Sequence, residues 1–261
     1  MAQPRILILR APGTNCDLET AHAFERAGGR PERVHVNRVL EAPRLLGDYQ
    51  ILCLPGGFSY GDDVAAGRVL GNQIRHHLAD CLDQFKADGK LILGICNGFQ
   101  VLIKSGVLLP DKPRPAATLT WNDSGKFEDR WVYLRTAGSK SIFFDGIQSL
   151  YLPVAHAEGK FVTRDGSVLA ELDSGGQIVL RYSSSDDANG QSAEPLSYPA
   201  NPNGSVANIA GVCDATGRVC GLMPHPERHI EFTQHPRWTR QPPAAAGDGL
   251  RVFENAVRYF M

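Results

Sequence analysis

The sequence predicts an α/β fold with an open, mostly parallel sheet flanked by helices and with antiparallel β hairpins in the second half. Two observations predict this fold. In the first part of the chain, short apolar runs alternate with longer amphipathic segments, a pattern typical of buried strands linked by crossover helices. The apolar run Leu91–Ile95 then ends at Cys96, with Gly94 and Gly98 two residues to either side. Glycines in these places permit a sharp strand-to-helix turn, or nucleophile elbow, that exposes the cysteine sulfur at the end of the strand.

The first part of the chain is predicted to alternate strands with helices. The strands cover Arg5–Leu9, Val34–Val36, Gln50–Leu54 and Leu91–Ile95, and the helices cover Asp17–Ala27, Val64–Ala87 and Asn97–Lys104. Pro55-Gly56-Gly57 ends the third strand. Because sites in parallel sheets lie at the carboxyl ends of the strands, we expect this loop to lie near Cys96.

The second half is predicted to contain strands that pair as antiparallel hairpins. They cover residues 131–135, 151–155, 168–172, 177–182, 209–213 and 219–223, with a tight turn at Asp214–Gly217. Residues 183–203 are predicted to form a surface loop, and residues 241–249 a flexible insertion before a helix at Leu250–Tyr259. We find no internal repeat, and residues 1–261 are expected to form a single domain.

Charge and composition exclude several partners and compartments. The 27 lysines and arginines are balanced by 28 aspartates and glutamates, so the chain lacks the basic character that binding to nucleic acid or an anionic membrane requires. No apolar segment is long enough for a signal peptide or a membrane span, and a cytoplasmic location is expected. Six cysteines, mostly in apolar runs, are too few for a disulfide scaffold and are expected to be reduced.

A cysteine nucleophile needs a base, and the segment Pro224–Arg228 supplies a candidate. His225 and Glu227 lie two residues apart with a proline between them, so the carboxylate can orient the imidazole as the third member of a triad. His225 would hold the Cys96 sulfur as a thiolate and deliver a proton to a leaving amine. The alternative interpretations are a cysteine that only packs in a buried strand and a polar turn that ends a strand.

Acyl transfer also requires hydrogen-bond donors for the developing oxyanion. The candidates are the backbone amides of Gly57, in the loop after the third strand, and of Asn97, directly after the nucleophile. A pair of adjacent glycines is weak evidence by itself, because it more often marks a loop.

No metal site is expected in this chain. A cation could be held by Glu227 and the three histidines of the same region, His225, His229 and His235. However, intervening prolines prevent a regular helical face there, and no pair of cysteines has the spacing of zinc ligands. Cys16 follows the first strand, but no base lies near it in the sequence, and it is interpreted as structural.

Several motifs together resemble a known enzyme family. Gly94–Gln100 is similar to the nucleophile motif of class I glutamine amidotransferases, which have a flavodoxin-like fold, and Pro224–Glu227 is similar to their His-Pro-Glu motif. Four further motifs resemble the PurQ type, the glutaminase subunit of phosphoribosylformylglycinamidine synthase: Pro12–Asp17, Gly56–Asp62, Ala155–Phe161 and Asn201–Ser205. Each motif is short, but their order and spacing together are specific.

The resemblance implies a glutaminase that hydrolyses L-glutamine through a cysteine thioester. The ammonia would pass to a large, ATP-using synthetase subunit of the PurL type, which converts formylglycinamide ribonucleotide to formylglycinamidine ribonucleotide. A small third subunit of the PurS type could also be required. The resemblance implies no cofactor in this chain, with ATP and magnesium on the partner subunit.

The resemblance also assigns roles to residues of this sequence. Cys96 is the nucleophile, His225 the acid and base, and Glu227 the residue that orients it. Gly57 and Asn97 match the oxyanion positions, and the glutamine pocket is expected to include Gly56, Phe58, Gln100 and His156. The chain departs from the family pattern at Asp63–Ala66 and in the longer segment His229–Gly249. The resemblance therefore does not determine the surface that faces the partner.

Other classes of protein share this α/β elbow fold: cysteine hydrolases such as peptidases, chaperone-like stress proteins, and degenerate copies that act as binding modules. The combination of Gly-x-Cys-x-Gly, His-x-Glu and a Gly-Gly loop favours an enzyme over a binding module. The motif Asn201–Ser205 favours an amidotransferase over a peptidase.

Overall fold

The computed structural model describes residues 3–109, 114–136, 138, 140–184 and 195–261. These residues form eleven strands and seven α-helices, together with short 3-10 turns. The strands are β1 (Arg5–Arg10), β2 (Arg30–His35), β3 (Ile51–Leu54), β4 (Leu91–Ile95), β5 (Ala117–Thr120), β6 (Glu128–Thr136), β7 (Ser149–His156), β8 (Lys160–Thr163), β9 (Ile178–Ser183), β10 (Ile209–Cys213) and β11 (Val219–Leu222). The helices are α1 (Asp17–Arg26), α2 (Val36–Glu41), α3 (Arg68–His77), α4 (Ala79–Ala87), α5 (Asn97–Ser105), α6 (Gly166–Ser174) and α7 (Leu250–Arg258).

Nine strands form one sheet in the order β2-β1-β3-β4-β11-β10-β9-β6-β7. Every neighbouring pair from β2 to β11 is parallel. The central strands β3 and β4 are buried at every residue, which matches their wholly apolar or glycine composition. The predicted α/β fold with parallel strands and flanking helices is confirmed for this part of the molecule.

The remaining four strands of the large sheet, β10, β9, β6 and β7, pair antiparallel. β10 and β11 form the predicted hairpin, in which Cys213 lies opposite Cys220 and both are free thiols. β5 and β8 form a separate two-stranded antiparallel sheet. The antiparallel hairpins of the second half are therefore confirmed, and most of them extend the parallel sheet.

The long helix predicted over Val64–Ala87 is wrong in its bounds, because two helices lie there. α3 and α4 meet at Leu78, which leaves the helical backbone angles and buries its side chain in the core. α3 begins only at Arg68, since Val64 and Gly67 have φ of +70° and +71°, outside the right-handed helical region.

Two strand predictions also need correction. β2 begins at Arg30, four residues before the predicted start at Val34, and Val36 already belongs to α2. As an edge strand, β2 carries mostly polar side chains and lacks the apolar run of the central strands. Residues 168–172 lie in helix α6, whose first turn is capped by the Asp165 side chain accepting from the Val168 amide at 3.0 Å. Short apolar runs do not distinguish strand from helix, and the same weakness left β5 and β8 unpredicted.

The two predicted loops are more ordered than expected where they are described. Residues 185–194 of the loop predicted over 183–203 lie outside the described residues, but Asn201 and Asn203 near its end are buried. In the segment 241–249, the Gly247 and Gly249 amides donate to the carbonyls of Ile230 and His229 at 2.9 and 2.8 Å. The end of this segment is therefore fixed against the chain that follows β11.

The last helix, α7, lies where the sequence predicts it. Of the helices in the described ranges, none has the length and apolar character needed to cross a membrane.

Candidate active site

The turn between β4 and α5 is a nucleophile elbow in its detailed geometry. Cys96 has φ +51° and ψ −106°, a conformation that residues other than glycine rarely adopt. A Cβ at Gly94 would lie 2.7 Å from the carbonyl oxygen of Gly98, and a Cβ at Gly98 would lie 1.9 Å from the carbonyl oxygen of Leu54. Side chains are therefore excluded at both glycines, and the strain at Cys96 is held by close packing on either side.

Strand order brings the base to the nucleophile. β11 lies next to β4, and the Cys96 amide donates to the carbonyl of Leu222, the last residue of β11, at 2.8 Å. His225 follows three residues later, and its amide donates to the Pro153 carbonyl on β7 at 2.8 Å. The Cys96 sulfur lies 3.6 Å from the carbonyl oxygen of Ala155, also on β7. The structure thus brings Cys96 and His225 together as predicted.

His225 and Glu227 form a buried pair. The His225 Nδ1 atom lies 2.6 Å from Glu227 Oε1, and both residues are only 1% exposed. Burial by itself would lower the pKa of His225, but the Glu227 carboxylate and the nearby Cys96 raise it well above its ordinary value. The opposite ring nitrogen, Nε2, has no hydrogen-bond partner of ordinary geometry. It is the nitrogen left to exchange protons with Cys96 and its substrate.

The Gly56-Gly57 loop lies directly against the site. A Cβ at Gly56 would stand 2.8 Å from His225 Cε1 and 3.5 Å from Cys96 Cβ, so this residue must be a glycine. Gly57 has φ +137° and bridges to Thr14. The Gly56 carbonyl accepts from the Cys16 amide at 3.3 Å, and the Phe58 amide donates to the Gly13 carbonyl at 3.0 Å. The loop that carries the predicted oxyanion donor is therefore fixed to the segment after β1.

Phe58 lies at the surface rather than deep in the site. Its side chain is 44% exposed, and its ring centroid lies 6.3 Å from that of Phe127. A role for its side chain in binding glutamine stays a prediction.

The side chain of Asn97 ties the elbow to the loop that follows Phe58. Its Oδ1 accepts from the Ser59 amide at 3.2 Å, and its Nδ2 donates to Asp62 Oδ1 at 2.9 Å and to Gln100 Oε1 at 3.0 Å. Gln100 Nε2 in turn donates to the Glu158 carbonyl at 2.7 Å. These hydrogen bonds hold Gln100 against Asn97 and Glu158, in addition to its predicted place in the glutamine pocket.

His156, at the end of β7, is buried and neutral. Burial, reinforced by the nearby His225, lowers the pKa of His156 to about 3. Its Nδ1 lies 3.1 Å from Asn122 Oδ1, which also accepts from the Gly159 amide, so Nδ1 carries the proton. The lone pair is then on Nε2, which is buried without a partner. His156 therefore presents a neutral acceptor beside the charged His225.

The Asn201–Ser205 motif holds in place the segment that follows His156 and includes Gly159 and Phe161. Asn203 Nδ2 donates to the Gly159 carbonyl at 2.9 Å, and Ser205 Oγ accepts from the Phe161 amide at 2.9 Å. The Asn201 and Asn203 side-chain oxygens both accept from the Ser205 amide within the motif itself. The motif fixes the segment that follows His156.

The comparisons with known proteins agree with this geometry. A family model described as a CobB/CobQ-like glutamine amidotransferase domain matches residues 3–260. The chain belongs to this family of glutamine amidotransferases.

Named relatives narrow the family further. The subunit PurQ of phosphoribosylformylglycinamidine synthase from Dehalococcoides mccartyi is 48% identical over 261 residues, 99% of this chain and 98% of that protein. The subunit PurQ from Methanococcus maripaludis is 41% identical over 272 residues, 98% and 97% of the two chains. A chain of the solved PurLQS structure from Thermotoga maritima matches over 100% of both chains, with 33% identity and a TM-score of 0.73. The resemblance to the PurQ type is confirmed.

Two residues beside the amidotransferase site were not expected there. Cys16 was interpreted as structural for want of a nearby base, but it lies beside His225, and burial raises the pKa of its thiol to about 11. Asn122 is not among the predicted site residues, although it determines the proton position on His156. The position of Cys16 after β1 could have indicated the first, because β1 and β4 end at the same edge of the sheet. Nothing in the local sequence indicates the second.

Proposed function

We propose that this amidotransferase is the glutaminase subunit of phosphoribosylformylglycinamidine synthase. It hydrolyses L-glutamine to glutamate and ammonia, and the ammonia is used to convert formylglycinamide ribonucleotide to formylglycinamidine ribonucleotide. The observation that carries the proposal is the strained Cys96 elbow facing a buried His225–Glu227 pair, in a chain 48% identical to a named PurQ subunit. A binding module would not need this strain or a buried ion pair.

The reaction begins at the Cys96 sulfur. As a thiolate it attacks the side-chain amide carbon of glutamine, and the carbonyl electrons move onto the oxygen. The protonated His225 Nε2 gives its proton to the departing nitrogen, which leaves as ammonia and completes the thioester. Glu227 holds Nδ1 and stabilises the imidazolium, so the proton is available on the side that faces the substrate.

Water then regenerates the enzyme. His225, now neutral, removes a proton from a water molecule that attacks the thioester carbon, and glutamate leaves as the Cys96 thiolate re-forms. Both tetrahedral intermediates carry an oxyanion, for which we assign the amides of Gly57 and Asn97 as donors. Asn97 is the first residue of α5, where backbone amides have no partner within the helix.

A neutral wall suits the recognition of an uncharged amide. We assign the pocket for the glutamine side chain to the region between Gly56, Gln100 and His156. The unpartnered Nε2 of His156 can accept a hydrogen bond from the substrate, and its low pKa keeps it from competing with His225 for protons. This division leaves a single proton-transfer group at the site.

The synthetase chemistry resides in other subunits. We propose a large partner of the PurL type and a small partner of the PurS type, as in the Thermotoga maritima PurLQS structure to which this chain is similar. ATP and magnesium would bind to the large partner, and this chain would need no cofactor of its own. The nearly balanced charge of this chain gives no reason to expect nucleic acid or a membrane as a partner, and we propose a cytoplasmic location.

Reconstitution with the synthetase subunits tests the proposal. With glutamine as the nitrogen donor, the wild-type complex should form formylglycinamidine ribonucleotide, whereas the Cys96→Ala complex should not. With ammonium salts as the donor, both complexes should be active, because the ATP chemistry lies elsewhere. Glutamine-dependent synthesis by the Cys96→Ala complex would overturn the mechanism. A wild-type complex that is active with ammonium salts but inactive with glutamine would overturn the assignment of this chain as the glutaminase subunit.

A further inference from the structure

The two backbone amides assigned as oxyanion donors lie on different elements. Gly57 is in the loop after β3, and Asn97 is the first residue of α5. An oxyanion is stabilised when both donors lie about 2.7–3.1 Å from its oxygen, so the separation of these elements matters to the reaction. Hydrogen bonds to the segment after β1 hold Gly56 and Phe58, on either side of Gly57. They do not connect this loop to α5.

The side chain of Asn97 joins the two elements directly. It is buried, and its Oδ1 accepts from the Ser59 amide at 3.2 Å, two residues after Gly57. Both N–H groups of its side-chain amide are used, one donating to Asp62 Oδ1 at 2.9 Å and the other to Gln100 Oε1 at 3.0 Å. The residue whose backbone supplies one oxyanion donor therefore holds the loop of the other donor with its side chain.

The loop after β3 has a strained backbone. We refer to residues 57–67 as the oxyanion loop. Within it, Tyr60, Asp62 and Val64 have φ of +54°, +55° and +70°, values that residues with a Cβ rarely adopt. Of the six described residues other than glycine with positive φ, these are three, and Cys96 is a fourth. Such strain persists only where the surrounding structure over-determines it, so the oxyanion loop requires firm contacts with its neighbours.

Asp62 makes a contact of this kind at a cost to stability. Its half-buried carboxylate accepts from the Asn97 side chain and from the Gly67 amide, and burial raises its pKa to about 6. Above pH 6 the carboxylate is therefore charged in surroundings that disfavour the charge. Stability alone does not explain an acidic residue here. The contacts of Asp62 instead connect the oxyanion loop to the start of α5.

We propose that Asp62 and the side chain of Asn97 are positioning residues, which hold the Gly57 amide and the Asn97 amide at the separation that an oxyanion requires. Neither side chain exchanges a proton or forms a bond with glutamine. They act through the two amides on the tetrahedral intermediates, and they leave the reactivity of the Cys96 thiolate unchanged. Their role rests on the proposed glutaminase reaction and adds two residues outside the triad.

Two reagents test this role on the full-length chain without glutamine or a partner. p-Nitrophenyl acetate acetylates Cys96: the sulfur attacks the carbonyl carbon, an oxyanion forms, and p-nitrophenolate leaves. Iodoacetamide alkylates Cys96 by attack on a methylene carbon with loss of iodide, and no oxyanion forms. Mass spectrometry of the Cys96 peptide gives both rates, so other cysteines do not interfere. The ratio of the two rates measures the oxyanion donors separately from the thiolate.

The test variants are Asp62→Ala and Asn97→Ala. In both, the rate of acetylation should fall by roughly 10- to 100-fold, less than the complete loss of one oxyanion donor would cause. The rate of alkylation should equal that of wild type. Asp62→Asn, which keeps an acceptor for Asn97, should recover most of the acetylation rate. The matched control is Asp63→Ala, at an exposed neighbour in the same loop, which should react as wild type does.

Glutamine hydrolysis by the reconstituted complex extends the comparison to the proposed substrate. The complex with Asp62→Ala should have a lower kcat and little change in KM, because the affected interaction forms only in the tetrahedral intermediates. A wild-type complex that releases no glutamate would contradict the proposed function. The ratio of acetylation to alkylation would still test the positioning role in that case.

Wild-type ratios in Asp62→Ala and Asn97→Ala would overturn the proposal. An equal decrease in acetylation and alkylation would also overturn it, because the thiolate itself would then be affected. A loss in Asp62→Asn as large as that in Asp62→Ala would assign the effect to the charge of Asp62 and overturn the role of its hydrogen bond. Thermal unfolding close to that of wild type excludes a folding defect, and where one alanine variant does not fold, the other gives the same comparison.

Discussion

The parallel and antiparallel parts of the sheet each place one buried histidine at the site. The pKa of one histidine is raised, and the pKa of the other is lowered. His225 follows the parallel strand β11, and the Glu227 carboxylate helps to raise its pKa well above the ordinary value. His156 ends the antiparallel strand β7, where burial lowers its pKa to about 3 and its partner is the uncharged amide of Asn122. Both histidines are almost fully buried, at 1% and 3% exposure.

The difference shows that burial alone does not determine the charge of a histidine. Desolvation lowers the pKa of both residues, and at His225 the Glu227 carboxylate, together with the nearby Cys96, reverses the effect. The parallel part therefore provides the charged His225–Glu227 pair, and the antiparallel part provides His156, a neutral acceptor to which we assign recognition without proton exchange. Substitutions that exchange or remove these properties one at a time test the difference.

Removing the charged histidine should have the largest effect. His225→Ala should lower glutamine turnover by roughly 10²–10⁴-fold, the range for loss of a general acid and base. Ammonia-dependent synthesis by the assembled complex should be unchanged. His76→Ala, on the exposed side of α3, is the matched control and should have wild-type rates. Wild-type turnover in His225→Ala would remove this residue from the mechanism.

Replacing the carboxylate should make the first histidine resemble the second. In Glu227→Gln, an amide faces His225 Nδ1, so the largest effect that opposes burial is removed and the pKa of His225 should fall. Histidine ¹H–¹⁵N spectra recorded over a pH series measure this shift. Turnover should fall by less than in His225→Ala, because the imidazole remains. An unchanged pKa would show that the carboxylate is not what keeps His225 charged.

Removing the neutral histidine should weaken binding more than chemistry. His156→Ala should raise the KM for glutamine by roughly threefold to tenfold, the equivalent of one uncharged hydrogen bond. The pH profile between pH 6 and 8 should not change, because a group with a pKa of about 3 does not titrate there. His156→Gln, which keeps a polar side chain, is the control that separates a folding defect in His156→Ala from the loss of one hydrogen bond. A changed pH profile near neutrality would mean that His156 takes part in proton transfer.

Asp62 gives the smallest effect, and it extends the comparison to a carboxylate. Burial raises the pKa of Asp62 to about 6, although the Gly67 amide and Asn97 side chain donate to it. Because the folded state holds this proton more tightly, Asp62 stabilises the fold below pH 4, and that contribution is lost as the pH rises through about 6.

The substitution Asp62→Asn keeps the acceptor for Asn97 and removes the charge. The variant should therefore be more stable than wild type above pH 6, by about 1 kcal/mol or less given the partial exposure of Asp62. The advantage should shrink as the pH falls toward 4. Denaturant unfolding at several pH values measures the difference, and a pH-independent difference would contradict the assignment.

Local sequence patterns were enough to predict the elbow at Cys96 and the pairing of His225 with Glu227. Gly94 and Gly98 predicted the elbow. A Cβ at either position would collide with backbone atoms, so only glycine fits there. His225 and Glu227 were predicted as a pair because they lie two residues apart. The apolar runs of β1, β3 and β4 predicted a parallel sheet because both faces of such strands are buried.

The errors occurred where local patterns carry less information. The edge strand β2 is polar, and the helix α6 contains a short apolar run, so periodicity misjudged both. The break at Leu78 divides a continuous amphipathic pattern, and only packing against the core determines it.

The sequence by itself thus determined the class of fold and the family, and it predicted the triad of Cys96, His225 and Glu227. The tertiary structure alone decided that Cys16 lies beside His225, that Asn122 fixes the proton of His156 on Nδ1, and that the Asn201–Ser205 motif holds the segment that follows His156. These contacts join residues far apart in the chain, and they arise from the order of the strands. Steric requirements and hydrophobic runs act between neighbours in sequence, whereas hydrogen bonds and desolvation at a site depend on which strand ends meet.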